Sequence, residues 1–182
     1  LNDITPTPGV PESAAQGLLY EHAIAIADLG IPASLVVFAA AWATWTRRVL
    51  DPEWRELLGR LAPAGAAHGV ALYHGSARDP VWEYVLSDQG ASATLELAGS
   101  PLVLVGHSHV ALQIVQSSGA VSGSVAPAGM EVELAGVRAL LNPGSVGQPR
   151  DGDPRAAYLI LDLDAQRAGF RRVEYDVGRT QQ

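Results

Sequence analysis

Three histidines lie where a predicted strand ends and the chain turns through a glycine: His74, His107 and His109. A neighbouring glycine allows a sharp turn and a close approach of the backbone to a ligand. His107 and His109 are two residues apart, so in extended geometry both imidazoles point to the same side of the chain. That spacing suits two ligands of one metal ion or of two adjacent ions. A hydrogen-bonded pair of surface histidines explains the spacing alone equally well.

The composition limits the other kinds of chemistry. The 182 residues include no Cys, which excludes disulfides, zinc ribbons and thiol catalysis and fits a reducing, cytoplasmic location. Any metal must therefore be held by His, Asp, Glu or Asn. The net charge is −7, with 19 acidic residues against 12 basic ones. This balance argues against a broad basic surface, so we expect no stable binding of nucleic acid.

The elements that position the histidines change character along the chain. The first third is predicted to be helical, with helices over 14–29 and 34–50 and a third after Asp51-Pro52 in which Trp54 is interpreted as a core residue. The rest is rich in short strands, predicted at 70–73, 102–105, 111–116, 131–134, 137–141, 157–162 and 169–175. Residues 81–86 are predicted as strand or helix, and 87–92 as a polar stretch. The strand ends therefore present the three histidines.

The longest apolar run, residues 29–46, is interrupted by Pro32, and its backward extension meets Asp28. A spanning helix needs about 20 apolar residues, so the run predicts a buried helix. Residues 1–12 have neither the basic start nor the apolar centre of a signal peptide. We therefore expect no association with a membrane.

Three separated motifs carry a family resemblance. They are Gly106-His107-Ser108-His109 in LVLVGHSHVALQ, His74 in LYHGSARDPVWEYVL, and Asn142-Pro143-Gly144-Ser145 in LLNPGSVGQPRDGDPRAAYLILDLD. Together they resemble the calcineurin-like metallophosphoesterase superfamily, and within it the small bacterial and archaeal YfcE-like phosphodiesterases. The resemblance covers roughly residues 39–177.

The resemblance implies an α/β fold, a calcineurin-like αββα four-layer sandwich truncated at the N-terminus. Residues 1–38 are then an unmatched N-terminal segment, and 39–182 the C-terminal portion of a single metallophosphoesterase domain. The missing strands would leave an unpaired sheet edge. Either the apolar segment 29–45 or a second copy would cover it, the latter giving a homo-oligomer.

The resemblance also implies the chemistry. The family uses two divalent metals bridged by a carboxylate, and a metal-activated water hydrolyses a phosphodiester or phosphomonoester. His74 and His107 would bind the second metal and His109 the first, with Mn, Fe, Ni or Zn as the ion. The partner is a small phosphate ester, which Arg78 is a candidate to bind. In the alternative interpretation, an ion pair of Arg78 with Asp79 orients the loop.

The sequence departs from the family in its first half. Members supply Asp-x-His, Gly-Asp and Gly-Asn-His motifs there, whereas here the asparagines are Asn2 and Asn142, neither before a His, and Gly152-Asp153 lies in a late loop. The catalytic residues are therefore unassigned, and fewer than two metals are expected. With Leu1 in first place, we expect a fragment. The alternative function is a non-catalytic remnant, or a regulatory or metal-binding protein that keeps the second half of the fold.

The loop after Asn142 holds further polar residues. Asn142 is predicted to fix a turn in Asn-Pro-Gly-Ser. Arg150, Asp151 and Arg155 follow in a Gly- and Pro-rich stretch. We interpret that stretch as a solvated loop, with contact to a phosphate as the alternative.

Overall fold

The computed structural model describes residues 48–180, with side chains described to residue 178. The predicted helix 14–29, most of the helix 34–50, the apolar run 29–46 and the boundary between 38 and 39 lie outside the described residues. The chain divides into two compact units between Leu61 and Ala62. The helices found in residues 48–180 are all too short or too polar to cross a membrane.

Helix α1, Pro52–Gly59, is the main described element of the first unit. Asp51 precedes it, and Pro52 opens it with a backbone angle already suited to a helix. None of its residues is buried, and Trp54 is 52% exposed. The interpretation of Trp54 as a core residue is therefore wrong, because helical spacing creates an apolar stripe without determining what covers it.

The second unit contains two β-sheets. The larger sheet has the strand order β1-β2-β3-β7-β4-β5, and the smaller has the order β6-β9-β8. Their strands are β1 Ala64–Ala67, β2 Val70–Tyr73, β3 Leu102–Leu104, β4 Ala111–Ser117, β5 Ala120–Val125, β6 Glu131–Glu133, β7 Arg138–Pro143, β8 Ala156–Asp162 and β9 Arg167–Val173. Helix α2 spans Asp88–Ala98, and the short helix α3 spans Val177–Thr180. The predicted α/β class is confirmed.

Parallel pairing forms the centre of the larger sheet. Strand β2 pairs with β3 and β3 with β7, so that Leu72 lies beside Leu104 and Leu104 beside Leu141. These strands have apolar residues on both faces, as expected for a parallel sheet covered on each side. Because β2 and β3 run in the same direction, the residues that follow them emerge at the same edge of the sheet.

Two cores lie on opposite faces of the larger sheet. One lies between the sheets and includes Leu141 from the larger sheet and Phe170 from the smaller. The other lies against α2, where Leu95 packs with Val103 and Leu140. The described residues thus form three successive layers, a helix and two sheets, of the four expected.

Three elements escaped the sequence analysis. Helix α2 begins in the stretch expected to be merely polar, capped by Ser87, which accepts a hydrogen bond from the Gly90 amide. Strand β5 consists mainly of small residues and is formed by its antiparallel pairing with β4. Strand β1 pairs with β2 across His68-Gly69, both of positive φ. The expected regular element at 81–86 is instead irregular, with a turn at residues 81 and 82. In each case pairing or packing outweighs weak local propensity.

Candidate functional site

His74 and His107 meet at the edge of the larger sheet. His74 follows β2, His107 follows β3, and the Gly106 amide donates to the His74 carbonyl at 3.0 Å. The His74 Nε2 lies 3.0 Å from the His107 Nδ1, one nitrogen donating to the other. Two nitrogens bound to one metal at about 2.1 Å lie about 3.0–3.4 Å apart. The 3.0 Å separation is that of an N–H···N hydrogen bond, and it also matches two ligands of a common ion once the shared proton is lost.

The turn that carries His107 and His109 is not extended, contrary to the expectation from their spacing. Both residues have left-handed backbone angles, with φ of 59° and 58°. Non-glycine residues rarely adopt this region, and such strain is concentrated at functional sites. Ser108 between them is buried, and its Oγ accepts a hydrogen bond from the Asn142 side chain. The two imidazoles are thus oriented by a tight turn rather than by the alternation of a strand.

The loop after β7 fixes the ring of His109. Its Nδ1 donates to the Gln148 carbonyl at 2.9 Å, and the Arg150 amide donates to the His109 carbonyl at 3.0 Å. This leaves Nε2 to face a ligand, the arrangement by which backbone carbonyls orient metal-binding histidines. Burial lowers the pKa of His109, and the Gln148 carbonyl opposes this, while the charges of Arg150 and His74 lower it further. His109 is therefore favoured as neutral imidazole, the form that binds metals.

Asn142 joins the two loops. Its buried side chain donates to the Gly106 carbonyl at 2.7 Å and to the Ser108 Oγ at 2.9 Å, and it accepts from the Gly144 amide at 2.9 Å. The bond from the Gly144 amide closes the turn that was predicted at Asn142, so that prediction is confirmed. Gly144 has a φ of +89°, and a Cβ there would lie 2.7 Å from that of Ala157. The Asn-Pro-Gly-Ser motif therefore holds the histidine turn in place.

The loop after His74 is closed on itself. The Ser76 hydroxyl accepts from the amides of Arg78 and Asp79, each at 3.0 Å, and donates to Glu83. The Arg78 guanidinium forms two hydrogen bonds with the same carboxylate. These bonds, from Arg78 first and then Ser76, lower the pKa of Glu83. The ion-pair partner of Arg78 is thus Glu83 rather than Asp79, and a role for Arg78 in binding substrate stays a prediction.

The loop containing Asp151 is not simply solvated, in contrast to the preferred interpretation of the sequence. The Asp151 carboxylate pairs with Arg172 of β9, and their side chains are only 2% and 4% exposed. Asp151 also accepts from the Ala111 amide at 3.1 Å, just beyond the histidine turn. Asp153 pairs with Arg155 at 2.7 Å, and the hydrogen bonds from Arg155 lower the pKa of Asp153 to about 2. The loop is an ion-pair network anchored to the smaller sheet.

Tyr84 is a site residue that the sequence analysis missed. Its ring stacks on His107, with centroids 4.1 Å apart and planes 15° from parallel. Its hydroxyl lies 3.5 Å from Nη1 of Arg150. No spacing rule connects residues so distant along the chain, so only the folded structure identifies this contact.

The donor chemistry at this edge suits a divalent transition metal, for which imidazole is a common ligand. Within residues 48–180, however, no group of three or more His, Asp or Glu side chains is arranged as a complete metal site. The described residues therefore offer part of a ligand set. Assignment of His74, His107 and His109 as metal ligands stays a prediction.

No protein-family model matches the chain. It is 32% identical over 139 residues to an uncharacterized protein of Methanocaldococcus jannaschii, which covers 73% of this chain and 54% of that protein. The chain is also similar to a metallophosphoesterase from Sphaerobacter thermophilus whose crystal structure is known. The two sequences are 39% identical, and the structures superpose with a TM-score of 0.68 over 76% of this chain and 57% of that one. The crystal structure of a hypothetical protein from Pyrococcus horikoshii shows the same fold at 20% sequence identity. It superposes with a TM-score of 0.57 over 97% of this chain and 60% of that chain. The chain spans somewhat more than half the length of these relatives.

Proposed function

Because the chain belongs to the calcineurin-like metallophosphoesterase superfamily, we propose that it contributes a metal-dependent phosphoesterase site acting on small phosphate esters. The observation that carries the proposal is the approach of His74 Nε2 and His107 Nδ1 to 3.0 Å at the end of two parallel strands. His109, whose Nδ1 is held by the Gln148 carbonyl, is the third imidazole of the proposal.

His74, His107 and His109 are the residues that would hold a divalent Mn, Fe, Ni or Zn ion. Such an ion, when bound, polarises a phosphoryl oxygen and promotes ionisation of water. The chain's own residues prepare the ligands: Gln148 orients His109, and Tyr84 supports the ring of His107. Neutral imidazoles are required, so binding is expected to weaken in acid, where imidazoles take up a proton.

A cleft of about 550 Å³ lies beside His74 and offers room for a small ester. Its lining includes the backbone of Gly106 and Gly144 and the apolar side chain of Leu104. Ligand sites are commonly concave and largely apolar, with a few polar groups that fix the orientation of the ligand.

A second function, a non-catalytic metal-binding domain, is favoured by one specific observation. Among residues 48–180, no three His, Asp or Glu side chains, His74, His107 and His109 included, are arranged as a metal-binding group. Neutral imidazoles contribute no negative charge to balance two divalent ions. On this alternative, the chain retains one metal ion and does not turn over esters.

Metal titration combined with hydrolysis of bis-p-nitrophenyl phosphate tests both functions. We expect the wild-type chain to bind Mn²⁺ or Zn²⁺, and His107→Ala or His109→Ala to bind it at least about tenfold more weakly. His68→Asn is the matched control, because His68 lies in the β1–β2 turn at a φ of 51° that asparagine tolerates.

Turnover that both alanine variants abolish would support the phosphoesterase. Metal binding without turnover would support the non-catalytic domain. If the wild-type chain binds no divalent metal, or if His68→Asn weakens binding as much as the other variants, both functions are wrong.

A further inference from the structure

The arginines near the histidine turn differ in what they contact. Arg78 is engaged by Glu83, Arg155 by Asp153 and Arg172 by Asp151. Arg150 forms no ion pair with any carboxylate among residues 48–180, and its side chain contacts only neutral oxygens. Its positive charge is therefore not neutralised by a neighbour.

Two contacts hold the Arg150 side chain beside the imidazoles. Its Nη2 donates to the Gln148 Oε1 at 3.0 Å, and its Nη1 lies 3.5 Å from the Tyr84 hydroxyl. Gln148 is also the residue whose carbonyl accepts from His109, and Tyr84 is stacked on His107. The guanidinium is thus connected to both histidines of the turn through one residue each.

The remaining hydrogen-bonding capacity suits an anion. A guanidinium has more N–H donors than these two contacts use, and its planar fork matches two oxygens of a phosphate. The Tyr84 hydroxyl accepts from Arg150, so its own proton is available for donation. Arg150 and Tyr84 are both largely exposed, which leaves these donors accessible.

We propose that Arg150 and Tyr84 form an oxyanion subsite that binds the phosphoryl group of the substrate next to His107 and His109. This inference rests on the proposed function, and Arg150 and Tyr84 are the residues that would recognise the substrate of that function. A guanidinium at this place can donate two hydrogen bonds to the phosphoryl oxygens and offset part of their negative charge. It replaces Arg78, which is already engaged by Glu83, as the leading candidate for contact with phosphate.

The test is the binding of inorganic phosphate to the metal-free chain at constant ionic strength, observed through the histidine ring signals by NMR. In the wild-type chain, phosphate should shift the His107 and His109 signals saturably. Arg150→Ala should require about tenfold more phosphate or more. Arg150→Lys should fall between the two because it keeps the charge but loses the fork.

Two further variants separate recognition from general effects. Tyr84→Phe keeps the ring that stacks on His107 and loses only the hydroxyl, so we expect phosphate binding to weaken by about threefold. Arg167→Ala removes the same charge from an exposed pair with Glu133 on the smaller sheet and should bind phosphate as the wild type does. Equal losses in Arg167→Ala and Arg150→Ala would overturn the subsite, as would the absence of a saturable shift in the wild-type chain.

The outcome is distinguishable from that of the proposed function. Phosphate binding that depends on Arg150, without hydrolysis of bis-p-nitrophenyl phosphate, supports the subsite and contradicts catalysis. Hydrolysis with unchanged kcat and KM in Arg150→Ala supports catalysis and overturns the subsite.

Discussion

Asp151 and Arg172 form a buried ion pair. It connects the loop that forms hydrogen bonds with His109 to the smaller sheet. The Asp151 side chain is 2% exposed and that of Arg172 4%. The carboxylate also accepts from the Ala111 amide, two residues beyond His109. The orientation of the histidine turn is therefore coupled to the packing of the two sheets.

Replacing Asp151 with asparagine should strongly destabilise the fold. The change leaves the Arg172 charge buried without its carboxylate, and removing one partner of a buried pair costs about 3–5 kcal/mol. Urea denaturation of Asp151→Asn measures this loss in the free energy of unfolding. Glu133→Gln, which breaks the exposed pair with Arg167, should change it by less than about 1 kcal/mol. Equal effects of the two changes would contradict the role assigned to burial.

Acid should weaken the same loop. Burial acts to raise the pKa of Asp151, but the hydrogen bonds from Arg172 and Ala111 and the charge of Arg172 outweigh it, so the pKa is lowered. The pKa of Asp153 falls to about 2 through its bonds with Arg155. Both folded values lie below the unfolded value of about 3.9, so the stabilisation is complete above that pH and is lost as pH falls through the folded pKa.

Denaturation midpoints measured from pH 6 down to about pH 2 check this dependence. Asp153→Asn should flatten the lower part of the profile, because it removes one of the titrating groups. A profile that is unchanged in this variant would show that other carboxylates control the acid transition.

Loss of the Asn142 side chain should affect both stability and metal binding. Asn142→Ala leaves the Gly144 amide without its acceptor and removes one of the two hydrogen bonds to the Gly106 carbonyl, at a cost of about 1–3 kcal/mol in the free energy of unfolding. It also frees the histidine turn, which should lower the affinity for Zn²⁺ by about 10–100-fold. Denaturation and metal titration measure the two effects.

Gln113→Ala is the matched control for Asn142→Ala. It removes an exposed amide that donates to the Ser124 Oγ at 3.3 Å on strands β4 and β5. It should leave metal affinity unchanged and stability within about 0.5 kcal/mol. Comparable losses in both variants would show that Asn142 does not specifically orient the site.

Gly144 combines a left-handed backbone with a lack of space. In Gly144→Ala the new Cβ would lie 2.7 Å from that of Ala157 and 3.1 Å from that of Ala111. Gly136→Ala carries a similar φ of +71° but meets nothing within 4 Å. We expect Gly136→Ala to cost about 1–2 kcal/mol through backbone strain and Gly144→Ala to cost about 1–3 kcal/mol more through overpacking. Equal denaturation midpoints would contradict the close contact.

The sequence by itself determined the parts of this protein that depend on local pattern. Apolar runs identified strands such as β3, and Asp51-Pro52 marked the start of α1. The motifs around His74, His107 and Asn142 pointed to the family. These signals can be read without the fold, because side-chain periodicity, capping and turn chemistry act over a few residues.

Tertiary structure alone decided how the site is assembled. His74 contacts His107 across 33 positions, Arg150 contacts Tyr84 across 66, and Asp151 contacts Arg172 across 21. The pairing of parallel strands brings the first pair together, and the packing of loops on sheets brings the other two. Local propensity carries no information about such contacts. Which side chains are buried, where the backbone is strained and which charges pair therefore depend on contacts between segments that are distant in the sequence.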